Sequence, residues 1–145
     1  MSHLVYPNIA LPFAATPYTL APGANATHTW PGTTTSDRSY DLSVYGPDRF
    51  LRRFAGVATP TAPTAHALTL TGAARGLGLV LGNPGAAPVT FTLTANDFAT
   101  LTSTVTVAPG GTATTTVWPV DTWGYYDVVV TAPGPFRYRF AGRVA

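Results

Sequence analysis

The feature that most constrains this chain is that it says the same thing twice. Residues 40–56, YDLSVYGPDRFLRRFAG, recur at an offset of 86 as residues 126–142, YDVVVTAPGPFRYRFAG. Tyr40, Asp41, Val44, Pro47, Phe50, Arg53, Phe54, Ala55 and Gly56 answer in register to Tyr126, Asp127, Val130, Pro133, Phe136, Arg139, Phe140, Ala141 and Gly142. Upstream, YTLAPG at 18–23 matches VTVAPG at 105–110, and ATHTWP at 26–31 matches TTTVWP at 114–119 with one residue inserted. A duplication of this length means two copies of one supersecondary unit.

The copies are unequal. The second opens with residues 66–100, rich in alternating Leu, Val, Phe and Thr, and most of the matching stretch would fall ahead of Met1. Only His3-Leu4-Val5-Tyr6 survives, set against Phe91-Thr92-Leu93-Thr94. The expectation is one and a half copies: a partial first repeat over 1–59, a Pro/Thr-rich linker over 60–65, and a complete second repeat over 66–145.

Twenty-five Thr, 14 Gly and 14 Pro, with 46% apolar and 10% charged residues, describe an all-β chain. β-branched side chains pack well on a pleated surface, while Gly and Pro punctuate turns. Alternating segments with turn signals at intervals of about 8–12 residues favour a sandwich or barrel, and a β-sandwich is the expectation. A net charge of +2 with no basic stripe argues against a nucleic-acid partner. The absence of Cys excludes disulfides and thiolate metal sites. No run reaches the roughly 18 apolar residues of a membrane helix, and the amino terminus is not a signal peptide, so any export signal is expected ahead of this sequence.

The repeated segment reads as a hairpin. Burying Tyr40, Leu42 and Val44 with Phe50 and Phe54 calls for a five-residue loop over 45–49, which pairs 44 with 50 and 40 with 54. That register sets Asp41 against Arg53, and Asp127 against Arg139, as cross-strand ion pairs on the other face. Arg52 then points inward where its counterpart is Tyr138, which suggests a partly exposed edge.

Catalytic chemistry finds no foothold. His3, His28 and His66 are scattered without ligand spacing, and no Gly-X-Ser-X-Gly turn presents a nucleophile. Asp41 and Asp127 belong to separate hairpins, each with its own arginine, which does not describe a catalytic pair. No cofactor or metal is expected. Trp30 and Trp118 are equivalent and each ends a segment before Pro, the placement of a core plug. Trp123, Tyr125 and Tyr126 have no counterpart cluster in the first copy and are the candidate lipid- or ligand-binding residues.

The two hairpin segments, the run from TVTVAPGG to the carboxy terminus, and the duplication itself resemble the carboxy-terminal domains of bacterial phosphocholine-type phospholipases C. Those are exported enzymes related to acid phosphatases, and they carry tandem copies of such a domain after the catalytic region. The resemblance implies a non-catalytic accessory domain, extracellular or periplasmic, whose partners are the catalytic domain and the phospholipid membrane surface. The family's hydrolytic residues lie in the catalytic region, which this sequence does not contain. Two other readings fit the same residues: a structural domain that caps or orients the catalytic domain, and a carbohydrate-binding β-sandwich module.

Overall fold

Apolar alternation, cut by Gly and Pro, sets the strands. The computed structural model of the chain describes residues 2–8, 16–27, 38–70, 75–115, 118 and 120–144. The first copy supplies β1 (Ser2–Pro7), β2 (Thr16–Thr19), β3 (Ser39–Tyr45) and β4 (Leu51–Val57). The second supplies β5 (Thr64–Leu70), β6 (Gly76–Gly82), β7 (Val89–Asp97), β8 (Thr102–Val107), β9 (Thr112–Thr114), β10 (Tyr125–Thr131) and β11 (Arg137–Arg143). β5 opens at Thr64, inside the stretch read as linker, because Ala65 already belongs to the core. Residues 26 and 27 are in no strand, and 28–30, with His28 and Trp30, lie outside the described residues.

The strands form two antiparallel sheets, one of eight strands in the order β2-β1-β3-β4-β11-β10-β7-β8 and one of three in the order β5-β6-β9. The large sheet is symmetric about its middle. β4 pairs with β11 so that Arg53 stands opposite Arg139, its own equivalent, and Phe54 opposite Tyr138 mirrors Phe140 opposite Arg52. Outward from that local dyad, Val44 pairs with Val5 as Val130 pairs with Leu93, and Val5 pairs with Thr16 as Leu93 pairs with Ser103. The fold is thus an all-β sandwich built from one and a half copies of a duplicated unit.

Both hairpins close with five-residue loops, but one residue later than the sequence suggests. Tyr45 pairs with Leu51 and Thr131 with Arg137, leaving 46–50 and 132–136 as loops. The first loop is held by Gly46 N–H to Phe50 O and Phe50 N–H to Pro47 O. The pairing sum moves by two, an even step, so every side chain keeps its face. Tyr40 now lies opposite Gly56 and Tyr126 opposite Gly142, where a Cβ on either glycine would come within 2.9 Å of the tyrosine oxygen. That close approach accounts for the shared Tyr and Gly of the repeat.

Among the described residues the small sheet covers one half of the large one. Leu77, Leu79 and Leu81 of β6, with Ala65 of β5, pack on Phe91, Leu93, Val107, Val128, Val130, Phe136 and Phe140. Those residues all belong to the second copy. Phe136 and Phe140 are buried as expected, whereas Phe50 and Phe54 are only half-buried. β5 and β6 thus cover their own repeat. The six-residue connection at 83–88 holds the hairpin over the strand that follows it, and buried Asn83 locks the connection by donating to the carbonyls of Ala87 (2.7 Å) and Val107 (3.1 Å).

Candidate functional site

The outer face of the large sheet carries a polar row that the duplication explains. Arg53 donates from Nε (2.9 Å) and Nη2 (2.6 Å) to Asp41, and Arg139 donates from the same atoms to Asp127 (2.9 and 2.7 Å). Each arginine reaches its carboxylate diagonally, since Asp41 stands opposite Ala55 and Asp127 opposite Ala141. A third partner completes each pair: Asn8 donates to Asp41 (2.7 Å) and Asn96 to Asp127 (3.0 Å). Burial raises the Asp41 carboxyl, but the bonds from Arg53 and Asn8 outweigh it and hold the group below its usual value. The sequence reading missed the asparagines, although they sit at the offset of 88 that already related His3 to Phe91. The row is a structural ladder across six neighbouring positions, with both carboxylates and both guanidinium groups already engaged.

Arg52 is not at an exposed edge. β4 lies between β3 and β11, and the Arg52 guanidinium sits 4.5 Å from the Phe50 ring centroid and 5.5 Å from those of Tyr126 and Phe140. It donates to the Tyr126 hydroxyl (2.7 Å) and the Ala141 carbonyl (2.8 Å). Across the dyad, Tyr138 occupies the matching place and its hydroxyl shares a 2.8 Å bond with Tyr40. Burial, then that bond, pushes the Tyr138 hydroxyl well above its usual value. Each copy therefore lends one residue to cap the other's tyrosine, an exchange that ties the repeats together.

The three aromatic residues singled out from sequence do not act as one cluster. Trp123 is 66% exposed. Tyr125 is half-buried, while Tyr126, on the opposite face of the same strand, lies in the core at 2% exposure. Tyr126 is thereby withdrawn from any surface role. Trp118 is buried in the core, as expected, and bonds Leu77 through both backbone groups (2.7 and 3.1 Å).

Around Tyr125 the fold assembles neighbours that are remote in sequence. The β3–β4 loop brings Arg49, the end of β7 brings Phe98, and the end of β11 brings Arg143. Phe98 stacks on Tyr125 at 5.5 Å between centroids. The guanidinium groups of Arg49 and Arg143 lie 5.4 and 5.6 Å from the Tyr125 centroid. Such cation–π contacts are worth about 0.5–1 kcal/mol each where water has access. Arg49 and Phe98 are both held at positive φ, 60° and 64°, an uncommon state for bulky residues that is more frequent at sites of function.

The loop that presents Trp123 is pinned. Asp121 Oδ1 accepts the backbone N–H groups of Trp123 (2.9 Å) and Tyr125 (2.8 Å), and Arg143 Nε donates to the Trp123 carbonyl (2.9 Å). Gly124, at φ +92°, donates to the Asp121 carbonyl and accepts from Val144 N–H (3.0 and 2.8 Å). An indole held out to solvent on a loop this ordered loses little further freedom on binding. Among the described residues no three metal-ligating side chains converge.

The family model described as bacterial phospholipase C, C-terminal domain, matches this chain twice, over residues 2–57 and 57–143. The two matches fall on the two copies read from the sequence, the shorter on the first. No curated protein matches the chain.

Proposed function

The chain belongs to the bacterial phospholipase C C-terminal domain family, and from that premise we propose that it is a non-catalytic accessory module that helps an exported phospholipase C engage a phospholipid surface. The observation that carries this reading is Trp123, 66% exposed on a pinned loop. Two residues on, Tyr125 gathers Phe98, Arg49 and Arg143, and Arg143 also holds the Trp123 carbonyl. Indole rings settle at the boundary between headgroups and acyl chains because they are apolar in body and polar at one edge. Neighbouring guanidinium groups suit the phosphates at that depth. The catalytic domain of the parent enzyme supplies the hydrolysis.

Sedimentation with phosphatidylcholine vesicles tests the reading. The chain should pellet with vesicles, and Trp123→Ala should weaken binding by about tenfold, the equivalent of ~1.4 kcal/mol. Tyr45→Ala, an exposed aromatic on another loop end, should leave binding unchanged. A chain that stays in the supernatant at every salt concentration overturns the proposal.

A second reading, a structural module that orients the catalytic domain, draws support from the half-buried inner face of the first copy. Deleting the module from the parent would then lower its melting temperature without a selective loss of activity on vesicles.

A further inference from the structure

The inner face of the first copy carries a groove of about 350 Å³. Its lining repeats the core of the second copy position for position. Val5, Leu20, Val44 and Phe50 stand where the second copy has Leu93, Val107, Val130 and Phe136. His3 and Tyr18 stand where it has Phe91 and Val105. All six second-copy residues belong to the core cluster or pack against it. Of the four aliphatic and aromatic counterparts in the first copy only Val5 is buried, at 5% exposure, whereas none of Leu93, Val107, Val130 and Phe136 exceeds 4%. The aliphatic and aromatic positions match in kind; what differs is how deeply each is buried.

The molecule itself shows what cover fits. Over the second copy lies the β5–β6 hairpin, whose Leu77, Leu79 and Leu81 fill the core and whose β6 pairs with β9 through Val80–Thr114, Leu81–Ala113 and Gly82–Thr112. The counterpart of β9 follows the same turn, Ala24 N–H to Ala21 O in place of Gly111 N–H to Ala108 O, both 3.0 Å. Yet residues 25–27 join no ladder among the described residues. We infer that this groove is an acceptor site for an apolar β-hairpin supplied by polypeptide outside these 145 residues. The donor's inner strand carries aliphatic side chains at alternate positions with small residues between, in the manner of GLGLVLG at 76–82. It pairs by its edge with residues 25–27, a strand-addition mode in which backbone bonds give affinity and alternate side chains give specificity. A second copy of this chain is not the donor, because giving up β5–β6 would strip its own core of Leu77, Leu79 and Leu81.

The test rebuilds the missing half in one chain. A duplicate of residues 62–88 is placed directly ahead of Met1, so that Met1 takes the place of Val89 and the second copy's connectivity is reproduced. The extended protein should melt at least about 5 °C higher than the parent chain and remain monomeric by light scattering. The same extension with the copies of Leu77, Leu79 and Leu81 changed to serine should give no rise. Equal melting temperatures for the leucine and serine extensions overturn the inference. So does a stable dimer of the unextended chain, which would make a second copy the occupant. Loss of vesicle binding on extension would assign the groove to lipid, and overturns it as well, whereas a Trp123→Ala effect on vesicles that persists in the extended protein leaves both proposals standing.

Discussion

Each copy holds one carboxylate between an arginine and an asparagine, and the two carboxylates differ in their distance from water. The Asp127 side chain is 6% exposed and that of Asp41 is 15% exposed. Asp127→Asn leaves the Arg139 guanidinium without its charged acceptor in the less hydrated site, and should cost about 2–3 kcal/mol in denaturant unfolding. The matching Asp41→Asn change should cost less. Because the Asp41 carboxyl lies below its usual value in the folded protein, its contribution is full above the unfolded value of about 3.9. That contribution is lost as pH falls through the folded value. Melts of the parent chain and Asp41→Asn should therefore differ at neutral pH and converge as pH falls below the unfolded value and through the folded one. A gap that persists into acid would assign the effect to packing and not to charge. The Asp–Arg pairs were legible from the repeat. Asn8 and Asn96 were not, because their offset of 88 is masked by the hairpin's offset of 86.

The loop between Trp118 and β10 depends on one backbone state. A Cβ on Gly124 would strike the Val144 carbonyl and the Arg75 guanidinium, and the residue is held at φ +92°. Gly110, at φ +67°, has open space around it. A left-handed conformation costs an L-residue about 1–2 kcal/mol before any clash. Gly124→Ala should thus lower the melting temperature clearly more than Gly110→Ala, and should also weaken vesicle binding by releasing Trp123 from its pinned position. Equal shifts for the two variants would show that the close approach to Val144 carries no weight. Sequence reasoning found the hairpins and the length of their loops. It could not distinguish two registers that differ by an even step, since both bury Tyr40, Val44, Phe50 and Phe54 on one face; the Gly46–Phe50 and Pro47–Phe50 backbone bonds made that choice.

Across the large sheet, symmetry relates the strands while the cover does not. β3 and β10 are equivalent strands with equivalent neighbours, yet only β10 lies under the three-stranded sheet, through Val128 and Val130. Local opening requires less apolar surface to be exposed where less is buried. Native-state hydrogen exchange should find β3 amides at least about tenfold less protected than those of β10. Equal protection in the pair would mean that the first copy is as closed as the second. The dyad at Arg53 and Arg139 and the exchange of Arg52 and Tyr138 between copies hold the half-covered unit onto the complete one.

The sequence by itself determined the strands, the duplication, the inequality of the copies and the Asp–Arg pairs. These follow from alternation, turn chemistry and a repeat offset, all of which are local or periodic properties of the chain. Only the tertiary structure decided that β4 and β11 join the copies, that Arg52 sits among aromatic rings, that Tyr126 turns into the core, and that Arg49, Phe98 and Arg143 gather at Tyr125. Those contacts join residues tens of positions apart, and no periodicity encodes them. They arise because apolar faces choose partners by shape, and the β5–β6 hairpin matched the core of the repeat to which its own short connection confined it.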